Sequence, residues 1–255
     1  MPNGLTEIAM WAFLCVFVRL SAMLMVSPVF GGQQTPVGVR VFTILSISGA
    51  LAAIIQPKIT TLPEHLGSMA LALALEAGIG LIIGSLIHAA LHAIQMAGSL
   101  IDLQIGLGMA QVLNPSGGQS VTIVAQFKYL LAVVIFLVVN GHHSLFEAFV
   151  ASYQVAPGLG LDPVRVTLLS AVGQFCLLAL QVAAPVAAVS LVVDAALGLI
   201  NRAVPQMQPF LVGIPAKIGV GVLALGIALP VTVAAVKSGV DVASKHIVQV
   251  FQGAK

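Results

Sequence analysis

Residues 66 to 95 decide the fold, and they read LGSMALALALEAGIGLIIGSLIHAALHAIQ. Glu76 is the only Asp, Glu, Lys or Arg in this stretch. A helix needs about 20 mostly apolar residues to cross the hydrocarbon core of a bilayer, and this run exceeds that length. Its apolar residues are continuous, whereas the strands of a membrane barrel alternate apolar and polar residues. The stretch therefore predicts a membrane-spanning α-helix.

The composition of the whole chain indicates the same class of protein. Of the 255 residues, 59% are hydrophobic and 7% are charged, whereas soluble domains contain about 25% charged residues. This difference excludes an ordinary soluble fold. The formal net charge is only +2, and the chain contains no basic block of the kind that binds nucleic acid. We therefore expect contact with a membrane and none with nucleic acid.

Long apolar runs recur along the chain. Pro185 lies inside the fifth run, and a proline there removes a helical hydrogen bond, which predicts a bend or a break. The runs predict an all-α, polytopic membrane protein with about six long helices, folded as a single domain over residues 1–255. The predicted helices cover residues 8–27, 41–56, 66–95, 122–140, 167–200 and 212–236.

The tail at residues 236–255 differs from these runs because it is amphipathic. Its apolar residues recur at helical spacing, with polar residues on the other faces. Three lysines and one aspartate lie in the tail, which favours a cytoplasmic C-terminus by the positive-inside rule. Six crossings would place the N-terminus on the same side, yet no Lys or Arg precedes Arg19. The number of crossings stays open at this point.

Glycines inside the apolar runs are typical of closely packed membrane helices. Gly78, Gly80 and Gly84 lie within one run. Small residues let two helix backbones approach each other, because packing rather than the hydrophobic effect holds helices together in lipid. We interpret these glycines as helix contacts, with loop flexibility as the alternative.

Ionisable residues in apolar runs need partners, because each costs about 2.5–3.5 kcal/mol in hydrocarbon on insertion scales. Arg19 lies within the first run, and we expect it to pair with a carboxylate on a neighbouring helix. A direct role in moving a substrate through the protein is the alternative. Asp194 and Arg202 lie too far apart to pair on one helix. Each should pair elsewhere, for example with Lys217 or across subunits.

Three prolines follow Arg202 and interrupt the apolar pattern. Pro205, Pro209 and Pro215 would each end a helix and force a non-helical crossover. The crossover is either a plain loop or a rigid subunit contact, and we favour the contact.

The candidate catalytic and metal-binding groups do not form a recognisable site. His88 and His92 share one helix face and could begin a metal site, but a third ligand at suitable spacing is missing. Packing or interfacial histidines, or a proton relay that includes Glu76, are the other interpretations. Residues 142–144 read His-His-Ser, yet no Gly-x-Ser-x-Gly motif accompanies them. We expect no enzyme activity, no metal and no cofactor.

The segment from Gly106 to Gln119 is rich in glycine and carries no charge. It lacks the Gly-Lys-Ser/Thr that completes a phosphate-binding loop. Irregular backbone is tolerated at membrane depth only where protein buries it or where it lines a cavity. The segment is therefore expected to lie against protein or along a cavity.

Taken together, the motifs resemble the FliR/SctT family, membrane proteins of the type III export gate in flagella and in virulence systems. The resemblance runs nearly end to end, and the order of the motifs makes it specific. The flagellar branch fits better, although Gln208 stands where the family pattern has Asn. The motifs are Arg19 with Pro28 to Gly31 and Pro36, Glu76 to Gly84, Ala97 to Met109, Asn114-Pro115, Asn140 to His143, Asn201 to Met207 and Val212 to Ile218.

The resemblance implies a place in a hetero-oligomeric, helical assembly of the bacterial inner membrane, within the flagellar basal body. The implied partners are FliP, FliQ, FlhB and FlhA, together with the unfolded flagellar proteins that pass through the pore. The rival from another class is a secondary transporter or small-solute channel, which would need a site at the bilayer midplane between repeats. No clear internal repeat supports that rival.

The resemblance also assigns expected roles to particular residues. The pore plug or gating loop would include Gly106, Leu107, Gly108, Met109, Asn114, Pro115, Gly117 and Gly118. Packing and subunit contacts would involve Arg19, Glu76, Asp102, Asp194, Asn201, Arg202, Pro205 and Gln206.

Overall fold

The computed structural model describes residues 3–31, 36–55, 63, 65–108, 122–153, 161–203 and 209–252. All regular secondary structure in these ranges is helical, which confirms the all-α prediction. The eight helices are α1 (Asn3–Val26), α2 (Val37–Ile55), α3 (Leu66–Ile105), α4 (Ile123–Val138), α5 (Gly141–Ser152), α6 (Leu161–Ala203), α7 (Pro209–Ile227) and α8 (Leu229–Gln252).

Four of these helices, α1, α2, α3 and α6, are long and apolar enough to cross a membrane. The helices α4 and α5 form a pair bent by 68°, and α7 and α8 form a pair bent by 54°. Counting each pair as one span raises the number within the described residues from four to six. The chain is therefore a polytopic helical membrane protein, in agreement with the predicted six runs.

Several helix boundaries differ from the predicted runs, and three of the differences change the architecture. The third run ends at residue 95 in the prediction, whereas α3 continues to Ile105. The prediction omitted α5 altogether. The sixth run and the tail were separated at residue 236, but the chain bends between α7 and α8 at Ala228, just before Pro230. Pro230 lacks the N–H that would extend the hydrogen-bond ladder of α7.

The bend between α4 and α5 depends on Asn140. This residue has a φ angle of 58°, in the left-handed region, which asparagine tolerates better than most residues other than glycine. Its carbonyl oxygen accepts a hydrogen bond from the N–H of His143 at 2.9 Å. The Asn-Gly pair that predicted a turn therefore starts a second helix in a new direction.

The break predicted as one option at Pro185 is absent. The helix α6 continues from Leu161 to Ala203 with Pro185 inside it. Proline removes only one backbone hydrogen bond, and packing against neighbouring helices compensates for this loss in membrane proteins. Val182, Ala183 and Val186 around the proline are buried, so side-chain packing holds the helix on both sides of the proline.

The residues group into two compact units. The first comprises Met1–Ala89, Asn140–Ala171 and Val240–Lys255, and the second comprises Ala90–Val139 and Val172–Gly239. The single-domain organisation of residues 1–255 stays a prediction. The core of the first unit includes Leu20, Met23, Ile83, Ile87 and Phe149, and that of the second includes Ile94, Ile101, Ile105, Phe136 and Val182.

Candidate functional site

A buried polar cluster surrounds Arg19 in the first unit. Arg19 is 4% exposed, and its Nε lies 2.5 Å from Oε2 of Glu76 on α3. Its Nη1 donates a hydrogen bond of 2.6 Å to Oγ of Ser152 at the end of α5. The guanidinium carbon lies 3.6 Å above the ring of Tyr153, within the range of a cation–π interaction. One arginine therefore connects α1, α3 and α5.

The hydroxyl of Tyr153 completes the cluster. Its hydroxyl donates to Oε2 of Glu76 at 3.3 Å. Burial raises the pKa of the Tyr153 phenol, so the hydroxyl keeps its proton and remains a donor. The Glu76 carboxylate thus receives both a cation and a neutral donor, as a buried charge requires.

Close approach of α1 and α3 accompanies this cluster. A Cβ at position 80 would overlap the carbonyl oxygen of Arg19, and one at position 84 would lie 2.5 Å from that of Met23. These glycines therefore form the predicted helix contact. Gly78 does not, because an added Cβ would meet nothing within 4 Å.

Asp102 joins the end of α3 to the start of α4 in the second unit. Its side chain is fully buried, and Oδ2 accepts hydrogen bonds from the backbone N–H groups of Val124 at 3.0 Å and Ala125 at 3.1 Å. Thr122, at the N-cap position of α4, makes no side-chain cap hydrogen bond. Asp102 therefore supplies the cap from another helix, and its negative charge suits the positive end of the helix dipole.

The backbone of Asp102 also holds the end of α3. Its carbonyl oxygen accepts hydrogen bonds from the N–H groups of Gly106 at 3.1 Å and Gly108 at 3.2 Å. Gly106 has a φ angle of +88°, which ends the helix in the left-handed conformation that glycine adopts at no steric cost. One residue thus anchors both ends of the connection between α3 and α4.

Close backbone packing reinforces the same junction. A Cβ on Gly98 would lie 2.5 Å from Cα of Ala125, and one on Gly221 would overlap the side chain of Ile105. The helices α3 and α4 therefore meet backbone to backbone at Gly98, whereas Gly221 of α7 leaves room for the side chain of Ile105 on α3. Of the predicted plug residues, the structure describes Gly106, Leu107 and Gly108; Met109, Asn114, Pro115, Gly117 and Gly118 lie outside the described residues.

Lys128 is a buried cation that the sequence analysis did not identify. Its side chain is fully buried, and Nζ donates a hydrogen bond of 2.5 Å to Oγ1 of Thr232 on α8. No carboxylate forms an ion pair with it among the described residues. Lys128 is the only charged residue of the fourth apolar run, and this isolated charge could have identified it from the sequence.

The remaining predicted contact residues lie on α6. Asp194 forms an ion pair with Lys217 of α7 at 2.8 Å, the partner that the sequence analysis named as one option. Asn201 and Arg202 are exposed, and Arg202 forms no ion pair with the described residues. Pro205 and Gln206 lie outside the described ranges.

The sequence is similar to those of bacterial export proteins. The family model for bacterial export proteins, family 1, matches residues 10–242. The chain is 32% identical over 234 residues to the flagellar biosynthetic protein FliR of Bacillus subtilis, covering 89% of each chain. It is 34% identical to FliR of Caulobacter vibrioides over 84% of this chain and 86% of that one. It is 30% identical to the surface presentation of antigens protein SpaR of Salmonella typhimurium, over 58% of this chain and 57% of that one.

Proposed function

Because the chain belongs to the FliR family of bacterial export proteins, we propose that it is a structural and gating subunit of the flagellar type III export gate. In this role it helps to form and to close the pore through which unfolded flagellar proteins cross the inner membrane. FliP and FliQ are its proposed partners in the pore, and FlhB and FlhA are its proposed neighbours. The subunit has no catalytic step of its own.

The anchoring by Asp102 is the observation that supports a gating role most directly. The carboxylate caps α4 and the carbonyl oxygen of the same residue holds Gly106 and Gly108. Asp102 therefore holds both helices that flank the segment proposed as the plug. We assign closure of the resting pore to residues 106–118, which carry no charge and so would not hold an ionic substrate in place.

The exposed end of α6 supports a contact with another subunit. Asn201 and Arg202 are exposed there, next to exposed apolar side chains such as Leu199 and Ile200. Arginine flanked by apolar surface is typical of residues that contribute strongly to protein interfaces. We propose that this end of α6 contacts a partner of the gate.

Co-purification tests the assembly. The full chain, tagged and co-expressed with FliP and FliQ, is expected to yield one complex that contains all three proteins by native mass spectrometry. Arg202→Ala should lower partner recovery about tenfold, as loss of an interface hot spot would. Arg165→Ala is the matched control, because Arg165 is also an exposed arginine of α6. A stable chain that binds neither FliP nor FliQ would instead favour a solute transporter.

Ion leak tests the gating assignment. Deleting Asn114–Gly118 should raise the resting conductance of the assembled gate in planar bilayers, because the constriction loses part of its backbone. Deleting Ala156–Gly160 is the matched control, since it removes the same number of residues from another glycine-containing connection and should leave the conductance unchanged. Equal conductance in the two assembled variants would reject residues 106–118 as the closure.

A further inference from the structure

A groove on the first unit lies between α5 and the C-terminal half of α8. Its volume is about 480 Å³, which falls within the range of small-molecule sites. Ala148, Ala151 and Val248 supply its apolar part. The polar lining residues are Ser144, Glu147, Ser244, Lys245 and Gln249.

The two charged residues of the groove are unpaired within the described part of the chain. Glu147 on α5 and Lys245 on α8 both line the groove, yet neither takes part in an ion pair there. Glu147 and Lys245 are both exposed. The groove therefore offers an occupant from outside one negative group on α5 and one positive group on α8.

The exposed face of α8 indicates the depth of this groove in the membrane. Asp241, Lys245 and Gln249 are exposed and recur every four residues along the helix. Ionisable groups are costly in hydrocarbon, so this polar face belongs outside the hydrocarbon core. On the opposite face, Ala243, Ile247 and Val250 are buried in the protein. The groove therefore opens at the level of the lipid headgroups.

We propose that this groove binds the headgroup of a zwitterionic phospholipid that carries a primary ammonium, namely phosphatidylethanolamine. Lys245 would bind the phosphate, with the hydroxyl of Ser144 as an additional donor, whereas the Ser244 hydroxyl already donates to the carbonyl oxygen of Asp241. Glu147 would accept hydrogen bonds from the ammonium group. The apolar part, Ala148, Ala151 and Val248, would cover the glycerol and the first methylenes of the chains. The inference requires only the membrane location of the protein and does not depend on its role in export.

The same charges define which lipids should bind less well. Phosphatidylglycerol has the phosphate but lacks a cation for Glu147, so its net negative charge meets an unpaired carboxylate. Phosphatidylcholine has a cation, but its three methyl groups remove the N–H donors that Glu147 would accept. The groove should therefore rank phosphatidylethanolamine first among these three lipids.

Native mass spectrometry of the full-length chain in detergent, with any subunits that co-purify, can count bound lipids during titration with each of the three. We expect phosphatidylethanolamine to bind at least about tenfold more tightly than the other two lipids, the order expected for one charge-assisted hydrogen bond. Glu147→Gln and Lys245→Gln should each remove about the same factor. Asp241→Asn and Lys237→Gln are matched controls, because they neutralise exposed charges of α8 outside the groove.

Three results would overturn the proposal. The first is equal affinity for the three lipids on the unmodified chain, a measurement that needs no variant to fold. The second is equal lipid retention by the groove variants and their controls. The third is a disulfide or maleimide cross-link from Ser144→Cys to a co-purified subunit, with no bound lipid, which would identify a protein as the occupant.

Discussion

Arg19→Gln is expected to destabilise the protein by about 3–5 kcal/mol, the cost of leaving a buried charge without its partner. The substitution removes the cation that lies 2.5 Å from Glu76 and the donor to Ser152. Glu76 would then keep only the Tyr153 hydroxyl at 3.3 Å. The connection of α1 with α3 and α5 would weaken at the same time.

The free energy of unfolding of the purified chain in mixed micelles, titrated with SDS, measures this effect. Arg19→Gln/Glu76→Gln should recover much of the loss, because removing both charges of a buried pair is often close to neutral. Lys217→Gln is the control at the other ion pair, where the Asp194 side chain is 46% exposed and the expected cost is at most about 1 kcal/mol. Equal losses for Arg19→Gln and Lys217→Gln would contradict the role of the Arg19 cluster.

Gly80→Ala and Gly78→Ala are expected to change stability in opposite directions. At position 80 the added methyl group overlaps the carbonyl oxygen of Arg19, so α1 and α3 must separate, at a cost of about 1–3 kcal/mol or more. At position 78 the methyl group meets nothing within 4 Å. Alanine there gains about 0.5–1 kcal/mol over glycine within a helix.

The same unfolding titration compares these two variants directly. The two substitutions lie two residues apart on α3 and carry the same chemical change, so differences in expression or in the unfolded state largely cancel. A distance between spin labels on α1 and α3 should increase in Gly80→Ala and stay constant in Gly78→Ala. Matching stabilities, or an unchanged distance in both, would show that Gly80 does not set the spacing of the helices.

The fold class was predictable because one physical property governs it. Runs of apolar residues longer than the hydrocarbon core must form helices, since a helix satisfies its own backbone hydrogen bonds in lipid. The break at Ala228 and the extension of α3 to Ile105 were not predictable from hydrophobicity. They depend on Pro230 and on the left-handed conformation of Gly106, which act over single residues inside apolar sequence.

The candidate site was predictable in part. Arg19 required a carboxylate, because a lone charge in an apolar helix is costly. The choice of Glu76 as its partner, with Ser152 and Tyr153 beside it, depends on how three separate helices pack. Asp102 was expected to make packing contacts. Its role as the cap of a different helix requires α3 and α4 to lie side by side, and no local sequence pattern predicts that arrangement.

The sequence by itself determined that the protein lies in a membrane, that it is helical and to which family it belongs. The first two follow from the length of the apolar runs, and the family follows from the order of the motifs. Only the tertiary structure decided which charges meet, which glycines touch a neighbouring backbone and which face of α8 remains open. The physical reason is that pairing energies depend on distances of a few ångströms between residues far apart in the chain. Gly78 and Gly80 illustrate the point, because two identical residues within one run differ only in what lies opposite them.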